Sequence, residues 1–300
     1  MTTPEHRRHW AVALLFITPA LWSVNYLVAR ASADVIAPHM LAFWRWSLAG
    51  AMLAGLARRD IWSHRDAVRR EWKQLLVLGA LGMWICGAFV YVGGRTTTAT
   101  NISLIYALSP LLIAVASTRA LGERLGPIQI AGIGLSLVGF CHVVLTGKWG
   151  SLASVQLNPG DWWILSAAVS WAAYTLLMKR WPSSFGPTAR LALVAAAGVG
   201  VLLPFTIVEA LFLPSEVSWR SGGFVIATAV FPAFGAYLSY SFMLRELGAS
   251  RVGVVLYLGP VYVAVMAWLV LGEPVQSFHY AGAALILPGL YLATRPSRRH

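Results

Sequence analysis

The chain has 300 residues, of which 58% are hydrophobic and only 11% charged, with a mean hydropathy of +0.68. Soluble domains carry roughly a quarter charged residues, so this composition excludes a water-soluble globule and predicts an all-α integral membrane protein. The net charge of +12 would suit nucleic acid, but the Lys and Arg residues stand at the ends of apolar runs rather than in one binding patch, so no nucleic-acid partner is expected.

The first apolar run, Trp10 to Val28, follows Arg7 and Arg8. It is longer than the apolar region of a signal peptide and has no small-residue cleavage site, so it reads as a retained first span. Nine further candidate spans follow, near 39–56, 75–94, 99–118, 128–146, 162–179, 190–210, 222–243, 252–271 and 278–294. Each is long enough to cross a hydrocarbon layer about 30 Å thick, and lipid leaves a helix as the way to satisfy such a backbone. The longest connection runs from Ala57 to Gln74, and no stretch is large enough for a soluble domain. Cys86 and Cys141 both fall inside apolar runs, which predicts buried thiols rather than a disulfide or a metal site.

With the amino terminus placed in the cytoplasm, Arg30, Arg95, Lys148 and Arg220 lie outside and Arg45 lies within a span. The other eighteen of the 23 Lys and Arg residues lie inside. Such a bias is what the positive-inside rule demands, and it predicts both termini in the cytoplasm.

The segment "LSPLLIAVASTRALGE" from Leu108 returns as "LGPVYVAVMAWLVLGE" from Leu258. Residues 99–139 match 249–289 at 13 of 41 positions, at an offset of 150, where this biased composition alone gives roughly a tenth. "WSVNYLVAR" from Trp22 is echoed by "WAAYTLLMK" from Trp171, at an offset of 149. The chain therefore reads as two copies of one five-span unit, residues 1–147 and 148–300. Five is odd, so the second copy is inverted, an arrangement that serves alternating access around a central cavity.

Ten spans, halves of this length and the paired "LGE" segments resemble the drug/metabolite transporter superfamily, and within it the EamA-type bacterial exporters. The stretches that carry the resemblance are "ALWSVNYLVAR", "FWRW", "YALSPLL…LGERLG" and "LYLGPVYVAVMAWLVLGEP". "WAAY" and "YLGPV…LGEP…GLYLATR" are similar to the YddG-type exporters of aromatic and other amino acids. The resemblance implies a helical basket with a central cavity that exports small metabolites across the bacterial inner membrane. No cofactor is expected.

Several residues could contact such a substrate. Trp22 and Asn25 share a helix face, as do Trp171 and Tyr174. Symmetric placement suits an aromatic wall with a hydrogen-bonding handle, or simple packing between helices. Arg45 lies about seven residues into span 2 with no acid in the same span. It could hold a substrate carboxylate through its guanidinium fork, snorkel to the headgroups, or bond backbone carbonyls. Tyr91, Tyr106, Tyr237, Tyr240, Tyr257 and Tyr262 sit in spans 3, 4, 8 and 9, where ordinary packing is the simpler role for any one of them. Pro110 and Pro260 occupy corresponding places and could act as kinks or hinges, freeing a carbonyl one turn before Ala107.

Gly122 and Gly272 fit helix caps. Glu123 and Glu273 fit structural positions at the start of the next helix. No Asp or Glu is expected deep in a span, and His142 is a lone histidine in span 5. Direct proton coupling through a carboxylate is therefore not expected, and a facilitator driven by the substrate gradient is. The seven histidines are scattered, with no metal-binding or phosphate-loop motif. That disfavours the main alternative class, a membrane-embedded lipid-modifying enzyme, and a channel fits inverted repeats less well than a carrier. Drugs, nucleotide-linked sugars or other metabolites are the alternative cargo. The expected partners are a small-molecule substrate and the lipid bilayer. Nothing in the sequence fixes an oligomeric state, and a monomer satisfies it.

Overall fold

A computed structural model of the protein describes residues 4–120, 126–149, 158–213, 215, 217–247 and 254–293. The described residues are helical, with no strand among them. In chain order the first half forms α1 (Pro4–Ala31), α2 (Pro38–Ser63), α3 (Arg65–Gly79), α4 (Cys86–Gly94), α5 (Ala99–Tyr106), α6 (Ser109–Ala120) and α7 (Pro127–Val144). The second forms α8 (Pro159–Arg180), α9 (Pro187–Phe212), α10 (Trp219–Thr228), α11 (Ala236–Leu247), α12 (Val254–Leu271) and α13 (Ser277–Ala293). A π-helical turn, Ala80–Ile85, joins α3 to α4, and another, Ala229–Gly235, joins α10 to α11. Thus the same irregularity falls at the same place in each half.

Among the described residues, five helical stretches are long and apolar enough to cross a membrane: Glu5–Ala31, Pro38–Ser63, Arg65–Gly94, Pro187–Phe212 and Trp219–Leu247. Four shorter apolar helices lie at Ala99–Ile113, Pro127–Val143, Leu258–Leu271 and Ser277–Ala293. Large apolar side chains such as Leu211, Phe212, Leu269 and Val270 face outward, as a lipid-facing surface requires.

Prolines open α2, α7, α8 and α9, where their missing N–H costs nothing. The expected long connection from Ala57 to Gln74 is instead mostly helix, broken only at His64. No Gly or Pro interrupts it, and Ala57, Ala67 and Ile61 pack against Phe185 and Ala189, so these turns continue beyond the apolar run. Span 4 is in turn divided. Pro110 cannot donate to Tyr106, and the chain turns at Ala107 and Leu108 before α6 begins. The expected free carbonyl one turn before Ala107 does not arise, because Ser103 accepts the Ala107 N–H at 3.0 Å. In the other half, α12 runs through Pro260 without a break.

The inverted relation of the halves is visible in paired contacts. α7 and α13 pack closely through glycines. A Cβ on Gly132 would stand 2.5 Å from the Gly289 carbonyl oxygen, and one on Gly139 would stand 3.0 Å from that of Gly282. Gly132 and Gly282 are 150 residues apart, as are Gly139 and Gly289, so the two contacts are images of each other about a two-fold axis. α2 and α9 form a second such pair. Near the end of α2, Asp60 accepts the Gly186 N–H at 2.9 Å, at the entry to α9. Near the end of α9, Glu209 accepts the N–H groups of His39 at 2.7 Å and Met40 at 3.2 Å, in the first turn of α2. Each half thus caps a helix of the other.

Close approach of α7 and α13 generates a prediction. Gly289→Val should cost about 1–3 kcal/mol through overpacking and lower the melting temperature of the purified protein. Gly134→Ala, where an added Cβ meets nothing within 4 Å, should leave it unchanged.

Candidate functional site

α1, α2 and α4 bring three polar side chains together in the interior. Arg45 is only 6% exposed. Its Nη1 donates to Asn25 Oδ1 at 2.9 Å and to the Tyr91 hydroxyl at 3.0 Å. Tyr91 in turn donates to Asn25 Oδ1 at 2.8 Å, closing a triangle. Arg45 therefore neither snorkels to a surface nor bonds a backbone carbonyl. Its Cζ lies 4.7 Å from the Trp46 ring centroid, and its Nε has no hydrogen-bond partner. No described carboxylate forms an ion pair with it. A buried charge in this condition is costly.

Aromatic rings surround this triangle. Tyr237 of α11 meets Trp22, Trp46 and Trp171 edge-on at centroid distances of 6.4, 6.3 and 6.4 Å. Trp22 also packs on Tyr240 at 5.5 Å, and Trp171 stacks on Tyr174 at 5.2 Å. Tyr26 lies 5.5 Å from Tyr106, whose hydroxyl contacts the Cys86 thiol at 3.2 Å. The first π turn supports the wall from behind: a Cβ on Gly82 would stand 2.9 Å from the Tyr174 ring, and the Leu81 carbonyl accepts the Ser170 hydroxyl at 2.8 Å. Helices of both halves thus converge on one partly apolar, partly hydrogen-bonding locus.

Of the residues expected from sequence, Trp22, Asn25, Arg45, Tyr91, Tyr106, Trp171, Tyr174 and Tyr237 come together here. The side chain of Tyr257 lies outside the described residues. Pro110 and Pro260 lie in α6 and α12, and neither takes part in the ring contacts. Tyr26, Trp46 and Cys86 also belong to the cluster, although sequence reasoning passed over them. Tyr26 follows Asn25 by one residue and so leaves the face defined by Trp22 and Asn25, while Trp46 is the last residue of "FWRW" and carried the one available signal.

Other expectations change. Glu273 does not open its own next helix. Its Oε2 accepts the Ala99 N–H at 3.1 Å and its Oε1 lies 3.3 Å from Arg30 Nε, so it caps α5 and ties it to α1. Burial raises its pKa against the opposing pull of the Ala99 N–H and Arg30. Gly272 has φ +66° directly after α12, as a glycine cap requires. Gly122 and Glu123 lie outside the described residues.

Asp161, just before the expected sixth span, is 6% exposed in the first turn of α8 and accepts the Thr97 hydroxyl at 2.5 Å. The buried histidine is His279, whose Nε2 stands 3.0 Å from Asn101 Oδ1. His142 instead accepts the Trp149 indole N–H at 2.8 Å in a partly exposed position.

Comparison with known proteins decides the family. The profile of the EamA-like transporter family matches residues 9–145 and again 158–295. The chain belongs to that family. An uncharacterized transporter of Bacillus subtilis, YyaM, is 26% identical over 275 residues, covering 90% of this chain and 88% of its own. A probable terminal-alkyne amino-acid exporter of Streptantibioticus cattleyicolor is 25% identical over 292 residues, covering 95% and 93%. One solved crystal structure superposes with a TM-score of 0.62 at 22% identity, over 95% of this chain and 96% of that one, and shares the fold. This EamA-like protein is thus a membrane transporter of the drug/metabolite transporter superfamily.

The triangle around Arg45 gives a direct test of its own. Tyr91→Phe removes an acceptor from Arg45 and a donor from Asn25, at a cost of about 1–2 kcal/mol. That should lower the melting temperature by about 2–4 °C. Tyr240→Phe, at a ring packed on Trp22 whose hydroxyl has no hydrogen bond among the described residues, should melt like the parent.

Proposed function

We propose that this EamA-like transporter exports small carboxylate-bearing metabolites, amino acids with aromatic or neutral side chains foremost, by alternating access across the bacterial inner membrane. Both termini lie in the cytoplasm, and residues 1–147 and 148–300 rock as inverted halves about the Arg45 site. The observation that carries this reading is a buried guanidinium with an unused edge and no counter-ion among the described residues, set among Trp22, Trp46, Trp171 and Tyr237. A guanidinium fork matches a carboxylate, and aromatic faces match an apolar or aromatic side chain. The amino-acid exporter among the relatives supports that cargo.

Counterflow of labelled amino acids into proteoliposomes tests the proposal. Exchange with aromatic or neutral amino acids is expected, and Arg45→Gln should weaken it about tenfold or more, the worth of a hydrogen bond to a charged group. Exchange with none of the twenty would turn the assignment to drug or other metabolite efflux, and unchanged affinity in Arg45→Gln would remove Arg45 from the site.

Flux is driven by the substrate gradient in this reading. It should be equal with and without a proton gradient, and its pH dependence should survive His142→Ala. Uphill accumulation after a pH jump would overturn that part. Reporter tags at Met1 and His300 should report the same side of the membrane.

A further inference from the structure

We infer that the Arg45 site selects its ligand by net charge, so that an apolar monocarboxylate binds more tightly than the zwitterionic amino acid of the same skeleton. This inference rests on the reading of Arg45 as a carboxylate receptor and adds what becomes of the substrate's ammonium group.

Among the described residues, Glu5, Asp34 and Asp66 are exposed. The remaining six are engaged elsewhere. Asp60 holds Gly186 N and His64. Glu71 holds Ser183 and Ser184. Asp161 holds Thr97, and Glu209 holds His39 and Met40. Glu246 pairs with Arg7 at 2.6 Å, and Glu273 with Arg30 and Ala99. None forms an ion pair with Arg45. Its neighbours are the neutral Asn25 and Tyr91, the Trp46 ring below it, and the tyrosines and tryptophans beyond.

The hydrogen bonds of Arg45 all leave from Nη1. The Nε edge of the fork, Nε with Nη2, makes none to the protein. A carboxylate on that edge would satisfy both the unmet donors and the unmet charge. The occupied site would then be neutral, which is the condition under which a buried ion pair is tolerated.

An α-ammonium group reverses part of that gain. The complex again carries a net positive charge, and three N–H donors leave water. Among the described residues the Asn25 amide oxygen, hydroxyls and π faces stand near; Asn25 already accepts from Arg45 and Tyr91, and a cation over an aromatic face recovers only part of the lost hydration. Leaving a buried charged group without its partner corresponds to a loss of about tenfold or more in affinity. The asymmetry of the two halves sharpens the point. At the offset of 149 that aligns Trp22 with Trp171, Val194 stands where Arg45 does. The second half therefore adds neither a second cation nor an acid at the corresponding place.

The test uses the full chain, purified into nanodiscs, with binding followed at neutral pH by isothermal titration calorimetry. Three probes share one skeleton: 3-phenylpropanoate, L-phenylalanine and 2-phenylethylamine. The expected order is the acid tightest, the amino acid about tenfold or more weaker and the amine weakest, with acid and amino acid both weakened in Arg45→Gln. L-Phenylalanine binding as tightly as the acid, with both dependent on Arg45, would overturn charge selection and leave the carboxylate reading standing. Binding indifferent to Arg45→Gln, tightest binding of the amine, or no saturable binding of any probe would overturn the carboxylate reading and this inference with it. Should Arg45→Gln fail to fold, the order of the three probes on the parent protein decides, because the amine would equal or exceed the acid wherever a carboxylate receptor is lacking.

Discussion

Carboxylates that cap helices of the opposite half hold this molecule in register. Asp60 and Glu209 are 149 residues apart and stand in the last turns of α2 and α9. Each reaches across to the open N-terminus of the other's helix. A helix end in a membrane protein presents unmet N–H groups where little water is at hand, so a carboxylate there serves as hydrogen-bond acceptor and dipole partner together. Because the two helices run antiparallel, the two caps fall at opposite ends of the bundle. Sliding α2 along α9 would break both, whereas tilting the pair as a unit breaks neither. The glycine contacts between α7 and α13 act in the same way, since backbones this close leave no room for a shift of register. These two pairs are the fixed frame against which the remaining helices are placed.

On that symmetric frame the chemistry is asymmetric. Trp22 and Trp171 correspond, as do Tyr91 and Tyr240, and all four lie in or beside the aromatic cluster. Yet Asn25 corresponds to Tyr174, Arg45 to Val194 and Tyr26 to Thr175. The first half supplies charge and most of the hydrogen bonding, and the second supplies apolar wall. A duplicated scaffold can do this because fold and site depend on different side chains. Glycines, prolines and end-capping acids keep the helices together, while residues facing the interior are free to diverge.

Much of this was legible in the sequence because the bilayer enforces simple rules. Long apolar runs must be helices, and duplication at a constant offset fixes how the halves relate. Arg45 stood out because a charge has few reasons to enter hydrocarbon. What escaped notice depended on contacts between distant segments. Nothing local marks Asp60 as a cap for α9 or Glu273 as a cap for α5, since each bond spans well over a hundred residues. The helical course of residues 57–74 was hidden by its charges, which look like a solvated loop until Phe185 and Ala189 are seen packed against it. Tyr26 was missed because a face defined by steps of three omits the adjacent position, although a ring that large sweeps a wide arc.

The polar end of α5 shows how such long-range bonds accumulate where helices of both halves meet. Thr98 caps the helix from within by accepting the Asn101 N–H. Glu273 takes the Ala99 N–H and holds Arg30. Thr97 donates to Asp161 of α8, and Asn101 meets His279 of α13. Helices of both halves are joined by groups that are each individually ordinary, and the bonds of Ala99 to Glu273, Thr97 to Asp161 and Asn101 to His279 would all break if α5 moved away alone. This end of α5 is therefore bound to the second half through hydrogen bonds, whereas its other end is released from α6 by the turn before Pro110. A short helix fastened at one end and broken at the other places Tyr106, its last residue, directly before the turn. There its ring lies against Tyr26 and its hydroxyl against Cys86. The break at Pro110 thus matters less as a hinge between two halves of span 4 than as the feature that sets an aromatic ring at the edge of the Arg45 site.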